Sequence, residues 1–143
     1  VLEKKFVEKW RDLLLDRYKR RAWFYKIPTG KYGGFRPFDS VAAVRLDETD
    51  FPAPHPVVHL ALEFKVEREG TLSPERLKAE YPHQWHGLLS ASPYYDTLFA
   101  IYRMKEKRPF FVPMGWEPSQ RPWVYAILDF WPTRTKKSQL GAL

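Results

Sequence analysis

Three side chains of this 143-residue sequence have types and a spacing suited to work on a phosphate ester: Asp39, Glu63 and Lys65. Hydrolysis of a phosphodiester needs an activated water, stabilisation of the charge that develops on phosphate, and help for the departing oxygen. Two carboxylates can hold a hard cation such as Mg²⁺ and leave positions open for water and phosphate. A lysine beside them can orient the water or offset charge on the pentacoordinate phosphorus. The sequence has no cysteine, which excludes thiol catalysis, disulfides and cysteine-ligated zinc. A bound metal must therefore rest on oxygen or imidazole donors.

The elements that position these groups can be read from periodicity. Over Val57–Val66 a period of two sends Val58, Leu60, Leu62 and Phe64 to one face of a strand and His59, Ala61, Glu63 and Lys65 to the other, so the two charges share a face. Asp39 enters a short, largely apolar stretch, Phe38–Leu46, read as a second strand, where a carboxylate caps, pairs or ligates. Upstream, Phe6, Trp10, Leu13, Leu14 and Tyr18 recur at helical spacing over residues 2–19. Glu3 lies on that apolar stripe, where a charge is costly unless paired or metal-bound, whereas Glu8 points away. Ala22–Ile27 reads as an aromatic strand, and Trp10, Trp23, Phe24 and Tyr25 as core. The glycine-bearing loop that follows carries Lys31 and Arg36 at its ends, suited to a DNA backbone, with Tyr32 and Phe35 as candidate wedges.

Further along, 47–56 holds three prolines and reads as a loop. Ser73-Pro74-Glu75 starts a helix, and a second helical stretch restarts at Pro82 and runs to about Ser90. Leu98–Tyr102 and Pro109–Val112 form a strand pair across the basic turn Arg103–Arg108. Trp123–Trp131 reads as a last strand, with a short helix as the alternative, and residues 132–143 as a loose polar tail. His83 and His86 stand three apart on a helix, but no third ligand has suitable spacing, so they read as a half-buried helical face. The order of elements predicts a single α/β domain over 1–143, a mixed central sheet flanked by helices.

Composition bounds the partner. Lys and Arg number 24 against 17 Asp and Glu, a formal charge of +7, which points to a polyanion and first to nucleic acid. No apolar run approaches the roughly 18–20 residues that span a bilayer, and the expectation is a soluble cytoplasmic protein of a bacterial, archaeal or phage-infected cell.

Pro37-Phe38-Asp39, then Glu63-Phe64-Lys65 after a separation of 24 positions, preceded by a helix and a glycine-bearing loop, resembles the PD-(D/E)XK nucleases. Within that superfamily, Lys26-Ile27-Pro28-Thr29-Gly30, Gly33-Gly34-Phe35-Arg36-Pro37-Phe38-Asp39 and His83-Gln84-Trp85 are similar to RecU-like and archaeal-type Holliday junction resolvases. The resemblance spans residues 3–103, and the last forty residues carry none of it. It implies the restriction-endonuclease-like fold, with Asp39, Glu63 and a carboxylate of the first helix holding Mg²⁺, for which Mn²⁺ substitutes. Glu3 is the first choice for that helix carboxylate and Glu8 the second. The resemblance further implies that Gln84 lines the site and, with Lys65, orients the attacking water, and that Lys26 touches the scissile phosphate. The substrate it implies is branched double-stranded DNA, cut by a two-fold homodimer in paired incisions. Two other readings use the same residues: a restriction- or repair-type nuclease acting on linear duplex, and a basic DNA-binding module without turnover.

Overall fold

The computed structural model describes residues 1–29, 36–47, 56–132 and 140–143. Helix α1 (Leu2–Tyr18) forms as its apolar spacing predicts and buries Phe6, Val7, Trp10, Leu14 and Tyr18 along one stripe. It ends at Lys19, whose φ of 52° turns the chain through a short 3-10 turn into strand β1 (Ala22–Lys26). Strands β2 (Ser40–Arg45) and β3 (Val57–Glu67) follow. Ser73 Oγ accepts the Arg76 N–H and Pro74 opens helix α2 (Pro74–Glu80), the start that the sequence signals. Pro82 cannot donate a backbone hydrogen bond, so the chain breaks at Tyr81 and restarts as α3 (Pro82–Ala91). Strands β4 (Asp96–Arg103) and β5 (Arg108–Pro113) come next, then helix α4 (Pro122–Ile127).

The five strands pair in the order β1-β2-β3-β4-β5. All neighbours are antiparallel except β3 and β4, which run parallel because α2 and α3 form the crossover between them. The sheet is therefore mixed and flanked by helices, the α/β class expected from the order of elements. On one face α1 and α4 bury Phe6, Trp10, Leu14, Val124 and Ile127 against Leu60, Leu62 and Phe64. On the other, Leu77 of α2 and Leu88 of α3 pack with Phe38, Ala61, Phe99 and Ile101.

Three expectations are corrected. Of the two readings for Trp123–Trp131, the short helix holds and the strand does not: α4 covers its first half, because Pro122 suits a first helical turn, and Val124 and Ile127, three apart, are both buried. Trp131, beyond it, packs edge-on to Phe6 at 5.8 Å. Trp23 and Tyr25 are not core; they are 55% and 59% exposed. Phe24 alone of the three turns inward, onto Trp10 and Phe64, because β1 is an edge strand and α2 and α3 pack over β3 and β4 instead. Of the tail expected to be loose, residues 133–139 lie outside the described residues, whereas 140–143 are tied to the fold. Leu140 and Ala142 carbonyls each accept from Lys9 Nζ at 2.6 Å, and Tyr102 donates to the Gly141 carbonyl at 2.8 Å. Gly141 is buried there, and a Cβ at that position would overlap the Lys107 carbonyl oxygen.

Candidate active site

The site begins with a strand that stops early. The Asp39 N–H donates to the Leu62 carbonyl at 3.0 Å and its own carbonyl accepts from Ile27 at 2.8 Å, so its backbone still belongs to the β1–β2–β3 ladder. One residue further back β2 is over, and Asp39 Oδ2 accepts the Phe64 N–H at 3.1 Å in place of another strand carbonyl. That bond ties the aspartate to β3 beside Glu63 and Lys65, which project from the face opposite Leu62 and Phe64. Helix α3 closes the other side. Gly87 lies so close to Pro37 that a Cβ would overlap the Pro37 carbonyl oxygen, and this contact brings Gln84, one turn earlier, over the carboxylates.

The result is a cavity of about 310 Å³ lined by Glu3, Arg36, Asp39, Glu63, Lys65, His83 and Gln84. Five residues singled out as catalytic in the sequence, Asp39, Glu63, Lys65, Gln84 and Glu3, thus line one space. The choice between helix carboxylates falls to Glu3, because Glu8 lines a different hollow with Lys5, Lys9, Asp12, Leu13 and Leu143. Glu3 is exposed, however, and does not sit in the core stripe as the periodicity suggested. Lys26 is also exposed. Its register opposite Ser40 turns it to the α1 side of the sheet, away from the face of Glu63. Arg36 is engaged within the protein: its Nη2 meets Asp39 Oδ1 at 2.9 Å and its Nη1 donates to the Ile27 carbonyl at 2.6 Å. Lys31, Tyr32 and Phe35 lie outside the described residues.

Electrostatics set the two carboxylates apart from ordinary surface acids. Glu63 and Asp39 are only 4% and 5% exposed. Burial pushes the Glu63 carboxyl up to about 9, the hydrogen bond and charge of Asp39 push the same way, and the Lys65 ammonium opposes them. At neutral pH the Glu63 carboxyl therefore holds its proton. The contact of Lys65 Nζ with Glu63 Oε2, 3.7 Å, is too long to undo this.

A hard cation fits this donor set. A buried carboxyl whose burial disfavours its charge is relieved by a divalent ion as well as by a proton, and Mg²⁺ is commonly held by one or two carboxylates plus waters and phosphate oxygens. Among the described residues no group of three or more His, Cys, Asp or Glu side chains closes a metal cage. Asp39 and Glu63 would be the direct ligands, with Glu3 at the rim. A larger open groove of about 620 Å³, lined by His59, Tyr94, Tyr95, Asp96, Arg121 and Trp123 among others, holds no such carboxylate pair. His83 and His86 are both exposed, and of the two only His83 lines the site.

The sequence reading missed two contacts. Arg36 and Asp39 are an i,i+3 pair across a proline turn, a spacing that could have suggested the ion pair. Tyr81, whose ring lies 4.4 Å from Lys65 Nζ, gave no signal, because it comes from the break between two helices.

No protein-family model and no curated protein sequence matches this chain. A solved structure with a related chain path is the 1.6 Å structure of Archaeoglobus fulgidus Hjc, a Holliday junction resolvase from an archaeal hyperthermophile. It is similar over 74% of this chain and 73% of its own, at 20% identity and a TM-score of 0.40. Among the described residues no helix is long and apolar enough to cross a membrane.

Proposed function

We propose that this protein is a metal-dependent, structure-selective endonuclease that cuts four-way DNA junctions by paired phosphodiester hydrolysis. The observation that carries the reading is the buried Asp39–Glu63 pair with Lys65 on the same strand face, at the floor of an open cavity. Asp39 and Glu63 would hold Mg²⁺ or Mn²⁺, which would supply Lewis-acid stabilisation of the phosphate and a more acidic water. The chain's own groups do the rest. The Lys65 ammonium offsets charge on the phosphate oxygens, the Gln84 amide accepts from and orients the attacking water, and Glu3 adds a carboxylate at the cavity rim. Lys26 and Lys31 neutralise backbone phosphates, in keeping with the net charge of +7, while Arg36 holds Asp39 in place. A two-fold dimer presents two such sites to opposing strands, and shape with backbone charge selects the junction.

Cleavage of a labelled four-way junction tests this, alongside linear duplex of the same sequence, in Mg²⁺ and in EDTA, with wild type and Asp39→Asn. The expected result is metal-dependent paired nicks on the junction, lost in the variant. Preferential cutting of linear duplex would transfer the reading to a restriction- or repair-type nuclease. Tight binding of DNA with no product in any divalent metal would leave a DNA-binding module.

A further inference from the structure

We propose that Tyr81 is a positioning residue for Lys65, its ring face holding the ammonium over the cavity; this rests on the nuclease reading of the same site. Lys65 reaches inward from β3 with its side chain only 14% exposed. Its ammonium has two contacts among the described residues: Glu63 Oε2 at 3.7 Å and the Tyr81 ring, whose centroid is 4.4 Å away. A single carboxylate at that distance leaves several rotamers of a four-carbon side chain open. An aromatic face on the other side closes them, because the ring quadrupole attracts a cation and the ring excludes water from it.

The ring itself is held firmly. Tyr81 caps the end of α2 and the start of α3 at once: its N–H donates to Leu77 at 2.9 Å and its carbonyl accepts from Trp85 at 2.9 Å. Pro82 fixes the next residue, and the side chain packs against the core beneath the helices. The helix break thus sets where the ring stands, and the ring sets where the ammonium stands. An aliphatic residue of similar bulk would fill the same place against the core but present no ring face to the ammonium.

The test pairs a spectroscopic readout with turnover in wild type, Tyr81→Leu and Tyr81→Phe. In the ¹H–¹³C spectrum, with Lys65 assigned through Lys65→Arg, the ε-methylene protons of Lys65 are expected upfield of a free lysine through the ring current. That displacement should vanish in Tyr81→Leu and persist in Tyr81→Phe. With saturating Mg²⁺, kcat on a four-way junction should fall about three- to tenfold in Tyr81→Leu at unchanged KM, the range a cation–π contact supports. Tyr81→Phe should restore it. An unshifted Lys65 in a wild type that cleaves DNA refutes the role of Tyr81 alone, as does undiminished kcat in Tyr81→Leu. A shifted Lys65 in a wild type that cleaves no DNA refutes the nuclease reading and the positioning of Lys65 for that chemistry with it. The wild-type spectrum decides the geometry even if Tyr81→Leu fails to fold.

Discussion

Replacing Glu63 by Gln should make the metal-free protein more stable, increasingly so as pH rises, although the same change should abolish cleavage. Folding moves the Glu63 carboxyl from the ordinary 4.5 up to about 9, chiefly by burial. Between those values the folded chain binds one more proton than the unfolded chain, so folding stability is fully present below pH 4.5 and is lost as pH climbs toward 9. The loss up to pH 7 amounts to roughly 3 kcal/mol. Glutamine keeps the shape, does not titrate, and so removes this slope. Urea unfolding in EDTA at pH 5, 6, 7 and 8 measures it. The stability of Glu63→Gln minus that of wild type should grow steadily across the series. Adding Mg²⁺ should narrow the gap by stabilising wild type, and more at pH 8 than at pH 5, because binding the cation expels the proton. A difference that stays flat from pH 5 to pH 8 would refute the raised Glu63 carboxyl and the burial that causes it.

Three further outcomes follow from the packing. Gly87→Ala forces a Cβ into the Pro37 carbonyl, so α3 must shift; a loss of about 2–4 kcal/mol in urea unfolding is expected, and cleavage should fall with it as Gln84 leaves the carboxylates. Trp10→Ala should cost about 3–5 kcal/mol, whereas Trp23→Ser on the open face of β1 should cost less than about 1; thermal melts of the two variants would reverse the assignment of these residues if their costs were similar. Lys9→Met removes two charge-assisted hydrogen bonds to the chain end, and about 1–3 kcal/mol of stability should go with them, together with faster amide exchange at Gly141, Ala142 and Leu143.

The site was legible where chemistry depends on local repeats. The period of two over β3 fixed Glu63 and Lys65 on one face whatever packs above them. Ser73-Pro74 and Pro82 marked helix starts through a side-chain acceptor and a missing N–H, both properties of single residues. The apolar stripe of α1 was equally plain and ranked Glu3 above Glu8, but it put Glu3 against the core, whereas Glu3 is exposed and reaches the site from the helix end.

What the sequence could not carry depends on contacts between distant segments. Asp39 meets Phe64 only because β2 stops where β3 continues, and Gln84 joins them only because Gly87 lets α3 press against Pro37. The exposure of Trp23 and Tyr25 follows from which strands α2 and α3 cover, and the docking of Leu140–Leu143 from carbonyls that Lys9 and Tyr102 happen to reach. Residue types and their periodicity thus determined the chemistry on offer and the faces that present it. Tertiary packing decided which groups share one space, because burial and the raised Glu63 carboxyl exist only once the sheet and α3 enclose the pair.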